Sequence, residues 1–211
     1  MRSQNPTNIF VSTAVPAAAF TASATTDALT SNGHGLANGD QVVVSNSGGG
    51  LPGGLATSTI YYVISTATNT FQLATAPSGS AINLTSAGTG THTFNLLGRS
   101  IFVEDFQHIT LAFDTKNSAN LTLKFVGSFQ EIPPNWYAAQ SETNQFDVVD
   151  VIDYEDGASI DGDTGIAPSG TDDHRHLEAN VSGLRWISAI IPAASYTIGN
   201  VSLVAKPFTN Q

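Results

Sequence analysis

Short stretches in which apolar and polar residues alternate, separated by glycine and asparagine punctuation, run the length of the chain. Over 108–114 the alternation sets Ile109, Leu111 and Phe113 on one face, and Leu121, Leu123 and Phe125 repeat it, with a turn expected at 116–118. The runs 145–151, 174–181, 184–191 and 200–206 read as further strands, spaced as in an antiparallel sandwich or jelly roll. Earlier in the chain, 20–23, 41–45, 60–65 and 70–74 are short runs rich in Val, Ile, Tyr, Phe and Thr. Asn38-Gly39 supplies the positive φ of a tight hairpin before 41–44, and Asn69 marks a second turn. Strands this short do not stand as an isolated sheet, so closure into a small barrel of about five or six strands is the expected way to hide their edges. Helix is scarce: 135–141, following Pro133-Pro134, is expected to form one or two turns with Trp136 and Tyr137 tucked inward. The fold class is therefore all-β.

The topology is set by an echo. Asn8-Ile-Phe-Val, ahead of the barrel, matches Ser100-Ile-Phe-Val directly after it. We read 1–16 as an N-terminal arm and first strand of the sandwich, 17–97 as an inserted small β-barrel, and 98–211 as the remainder of the β-sandwich.

Charge follows the same division. Only 11% of residues are charged, and 7 basic against 17 acidic side chains give −10. The first 98 residues carry one base and two acids, Asp27 and Asp40, and the rest carry six bases and 15 acids, that is −1 and −9. A pI near 4.6 argues against nucleic acid and anionic lipid as partners. The absence of cysteine excludes disulfides, thiolate nucleophiles and Cys-type metal centres. The N-terminal stretch lacks the continuous apolar run of a secretory signal, and no run approaches the ~20 residues of a membrane-spanning helix. Sequons at Asn83, Asn120, Asn180 and Asn200 are read as chance products of a Thr/Asn-rich strand protein.

Two resemblances emerge from these residues. HGLANGDQVVV at 34–44, LPGGL at 51–55, TIYYVI at 59–64, NTFQLA at 69–74, INLT at 82–85 and GTGTHTF at 88–94 resemble a small barrel module of phage tail and virion proteins. That module is named for its similarity to the first catalytic cysteine half-domain of ubiquitin-activating enzymes. The resemblance implies a spacer or adhesion module on a virion, and no ubiquitin chemistry, since there is no cysteine to perform it. DFQHITLAF at 105–113, SANLTLKFVGS at 118–128, FDVVDVIDYEDGASIDGDTGI at 146–166 and GLRWI at 183–187 resemble short phage structural proteins found among virion accessory components.

Of the candidate chemistry, the acidic cluster is the densest: ten of the 17 acids lie between Asp147 and Glu178. The helix-loop-helix calcium motif fails, because the glycine at 157 comes one position early and the twelfth position is Thr164. A looser Ca²⁺ site using Asp156, Asp161 and Asp163 stays open beside the reading of solvated loop acids, and no other cofactor is expected. Asp161 and Asp163 also have the residue type of a glycosidase pair, but lack an aromatic platform beside them. His174-Arg175-His176 sets both histidines on one strand face, where pairing with acids at a subunit contact or on a polar face outweighs zinc binding. The glycine clusters at 33–35 and 48–50 lack the Lys-Ser/Thr of a phosphate loop, and 48–54 is expected to be a surface excursion, flexible or ordered only by a neighbour.

The expected protein is a non-enzymatic structural component of a tailed-phage virion, a capsid decoration or cement protein that contacts further copies of itself, as in a trimer, and the major capsid protein or tail proteins. Its expected contact residues are Ile9, Phe10, Trp136, Tyr137, Trp186 and Phe208. The alternative is a tail or fibre adhesin whose barrel binds host carbohydrate through Tyr61, Tyr62 and the loop 48–54.

Overall fold

A computed structural model describes residues 2–3, 5–10, 15–132, 136, 146–168, 170–192 and 198–209. Among them every regular element is a strand, and every pairing between strands is antiparallel. The chain divides into two compact units, Met1–Ser12 together with Gly98–Gln211, and Thr13–Leu97.

The first unit holds, numbered in chain order, β1 (Arg2–Ser3), β2 (Thr7–Phe10), β9 (Ile101–Phe102), β10 (His108–Asn120), β11 (Lys124–Ser128), β12 (Asp147–Val148), β13 (Val151–Asp153), β14 (Ser159–Ile160), β15 (Asp173–Asn180), β16 (Trp186–Ile190) and β17 (Ile198–Thr209). One sheet runs β1-β17-β10-β15-β13-β14 with β2 also paired to β17, and the other runs β12-β11-β16-β9. Alternation decides which side chains go inward: Ile109, Leu111, Phe113, Leu177, Ala179, Leu203 and Ala205 are buried, while their neighbours along each strand are not. The smaller sheet is covered on a face of its own, where Val126 packs with Trp136 and Phe146, and Val148, Trp186 and Ile190 close the cluster. Trp136 and Phe146 meet edge to face at 5.4 Å, and the Trp136 indole N–H donates to Ser100 Oγ at 2.8 Å.

β2 lies against β17, where Leu203 pairs with Phe10. Arg99 N donates to Ile9 O at 3.1 Å, so the chain leaves this unit and re-enters it at adjacent points. The re-entry requires glycine: a Cβ at Gly98 would sit 2.3 Å from Ala189 O and 2.9 Å from Ile9 Cγ2.

Two expected elements differ. Residues 116–118 form no turn: β10 runs 13 residues and is paired with β15 on one side and β17 on the other, and the irregularity survives as a register shift against β17 between Lys116 and Asn120. The 145–151 run is split between two sheets, β12 pairing with β11 and β13 with β15. Apart from Trp136, the expected helical turns at 135–141 lie outside the described residues.

The second unit is a closed six-stranded barrel of β3 (Ala17–Ser23), β4 (Ala28–Thr30), β5 (Gln41–Ser47), β6 (Tyr61–Ile64), β7 (Thr70–Ala74) and β8 (Thr91–Leu97), in the order β3-β4-β7-β6-β5-β8. Closure uses β3 twice: Ala17 to Phe20 pair with β8, and Thr21 to Ser23 pair with β4. Leu29, Val42, Val63, Phe71 and Phe94 fill the interior, with Phe71 and Phe94 edge to face. Gly39 takes φ 92° as expected, but in a turn that leads into β5; the partners of β5 are β6 and β8, so this turn closes no hairpin. The loop 48–54 is ordered from within the unit. Gly50 N donates to Thr89 Oγ1, Gly53 N to Ser86 O and Oγ, and Thr85 N to Gly53 O. A Cβ at Gly49 would lie 2.3 Å from Thr89 O, so the glycines allow two backbone segments to touch.

Candidate interaction surfaces

Of the six expected contact residues, Ile9 and Phe10 are 2% and 1% exposed and Trp136 1%, so they are core side chains with no surface to offer a partner. This corrects the expectation for those three: adjacent large apolar residues read equally well as anchors or as core, and pairing with β17 and the Trp136 cluster made them core. Trp186 is half-buried, meets Phe102 edge to face and donates its indole N–H to Gln130 O. Phe208 is half-buried and stacked on His108. Tyr137 lies outside the described residues.

The acids expected as calcium ligands are occupied with their own turns. Asp156 Oδ1 accepts from Ala158 N, and Asp161 Oδ1 accepts from Asp163 N and Thr164 N. Asp163 is exposed, and among the described residues no group of three or more His, Asp or Glu side chains converges to hold a metal ion. Glycosidase carboxylates must face each other across a cleft, whereas Asp161 and Asp163 share a single turn.

His174-Arg175-His176 splits across the two faces of β15. Arg175 points inward, where Nη2 and Nε contact Asp173 Oδ2 at 2.9 and 3.2 Å and Nη1 lies 3.5 Å from Asp153 Oδ2. Hydrogen bonding to Asp173 raises the Arg175 pKa, so this inward guanidinium keeps its charge. The histidines point outward, onto a face that register builds in rows. Phe208, His108 and Asn180 form one row; Lys206, Thr110, Glu178 and Ile152 the next. Val204, Ala112 and His176 follow, with Tyr154 beside them through its N–H to His176 O, and then Ser202, Asp114 and His174.

Glu178 ties this face together, with Oε1 2.7 Å from His108 Nδ1 and Oε2 accepting from the Tyr154 hydroxyl. That hydrogen bond, with some burial, raises the Tyr154 pKa. His174 Nδ1 lies 2.9 Å from Asp114 Oδ1, and Lys116 Nζ donates to Asp172 Oδ2 at 3.3 Å and lies 3.2 Å from His174 Nε2. Ile152 and Tyr154 remain 49% and 53% exposed on this ordered surface. Sequence reading passed over both. The signal was present in the outward alternation of 108–116 and 174–180, but which outward residues share a row depends on pairing across strands distant in sequence.

In the barrel unit, a cleft of about 580 Å³ is lined by Phe20 and Thr21 of β3, Ser31 and Asn32 after β4, Gly88 ahead of β8 and His92 within it. His92 is held in place, with Nδ1 2.8 Å from Asn46 Nδ2 and Nε2 3.2 Å from Ala87 O. The Tyr61 ring is buried and its hydroxyl is bonded to Ala56, and Tyr62 is half-buried. The surface first assigned to sugar recognition therefore loses its principal aromatic. No family model, curated protein or solved structure matches the chain.

Proposed function

We propose that the chain is a non-enzymatic structural component of a tailed-phage virion, a capsid decoration or cement protein in which the sandwich binds the lattice or neighbouring copies and the barrel is the displayed module. The observation that carries this reading is the single point of departure and return. With Ile9 O and Arg99 N hydrogen-bonded, the whole near-neutral barrel is spliced between two neighbouring backbone segments of an acidic sandwich. A spliced module of this kind can be carried on a support without interrupting the support's core. The resemblance of 34–94 to virion barrel modules and of 105–187 to accessory structural proteins points the same way.

The adhesin reading keeps one specific observation, the uncharged cleft beside β3 and β8, which replaces Tyr61 and Tyr62 as its recognition surface. Quantitative mass spectrometry of purified particles, with antibody labelling in the electron microscope, separates the two. Many copies spread over the head are expected for decoration. A few at the tail tip would favour adhesion, and absence from particles would overturn both.

A further inference from the structure

We infer that the outer face of the large sheet is a self-complementary surface on which a second copy of this chain packs about a two-fold axis. The axis runs along the strands between β10 and β15. The inference goes beyond the virion reading and does not depend on it.

The sheet order makes the face symmetric in layout, with β2, β17 and β10 on one side of the axis and β15, β13 and β14 on the other. A two-fold rotation about that line lays β10 of one copy over β15 of the next and β17 over β13. Row by row, the side chains brought together then suit each other. Asp114 meets His174, small Ala112 meets His176, and Val204 meets Tyr154. Lys206 comes over Ile152 and beside Glu178. Charge complementarity is the reason to name this chain as its own partner. Within a unit of net −8, the β17 side of the face presents Lys206, while β15 across the axis presents Glu178 in the same row.

The composition also fits. The face carries Tyr154, Ile152, Phe208 and three of the five histidines, and the Tyr154–Glu178–His108–Phe208 chain of contacts holds its largest side chains in place before any partner arrives. The eight residues of β15 and the four from Val151 to Tyr154, at about 3.4 Å each in strands about 4.8 Å apart and counted on both sides of the axis, give roughly 400 Å² per partner. That is smaller than a standard specific interface and fits a weak, transient dimer.

Sedimentation velocity of the full chain up to about 100 µM tests this. A monomer–dimer equilibrium is expected. Ala112→Arg, which puts a bulky charge at the centre of the face, is expected to weaken it at least about tenfold with little change in melting temperature. Lys206→Glu, which sets like charges at Lys206 and the facing Glu178, is expected to weaken it as well. Tyr154→Arg, at an exposed position beyond the end of β13, gives the same readout should Ala112→Arg fail to fold. A chain that stays monomeric, that sediments as a trimer, or whose dimer is indifferent to the central substitution overturns the inference, and the face is then left to another partner.

Discussion

Arg175 shows how one residue's partners decide its role. It sits in the middle of an outward-reading His-Arg-His triplet, yet its guanidinium points inward and is the counter-charge for Asp173 and Asp153, whose side chains are 8% and 7% exposed. Removing the guanidinium takes the counter-charge from two buried carboxylates, so Arg175→Ala is expected to cost about 3 kcal/mol in urea denaturation. Adding Asp153→Asn and Asp173→Asn should recover part of that loss; no recovery would mean that the guanidinium acts by packing alone. Tyr154 carries a weaker dependence. Its hydrogen bond to Glu178 favours the protonated phenol in the folded state, so the stability it contributes is whole below the unfolded value near pH 10 and fades as pH rises through the higher folded value. Melting temperatures followed from pH 9 to 11 should fall slightly more steeply for the wild type than for Tyr154→Phe, by about 1 °C given the exposure of the group. The turn bonds of Asp156 and Asp161 are a local pattern, an aspartate accepting from an amide two residues on, though the sequence reading left these acids between calcium ligands and solvated loop residues; the contact of Arg175 with Asp153 depends on a residue remote in sequence.

At the scale of elements, β10 and β2 illustrate opposite outcomes. Lys116-Asn117-Ser118 has turn composition, but two neighbouring strands pair along β10, and the cross-strand bonds outweigh the local preference at the cost of one irregularity. β2 is only four residues long, and its place depends on Ile9 and Phe10 reaching the core beside β17. Phe10→Ala should therefore destabilise the sandwich by about 3–5 kcal/mol, read as an earlier loss of near-ultraviolet circular dichroism from Trp136 and Trp186. If Phe10 were instead a contact residue, the substitution would leave the melting temperature of the isolated chain unchanged and weaken only association.

For the whole molecule, the division into two compact units with adjacent entry and exit points makes a specific demand. Replacing 13–97 by a short Gly-Ser linker between neighbouring backbone segments is expected to leave a folded sandwich that melts cooperatively. An unfolded product would show that the barrel contributes to the sandwich's core. The alternation of 108–113 and 174–179, the short β-rich runs of 20–74 and the change from −1 to −9 near residue 98 determined by themselves an all-β chain with a nearly uncharged segment followed by an acidic one, because strand period, turn chemistry and charge are local properties of a sequence. Tertiary structure alone decided that Ile9, Phe10 and Trp136 belong to the core, that the 48–54 loop is held by 85–89, and that Lys206, Ala112, Glu178, His176 and Tyr154 share one face. These depend on which strands lie side by side, and strands as far apart as β2 and β17 are brought together by the burial of their joint apolar surface, which no local stretch of the sequence records.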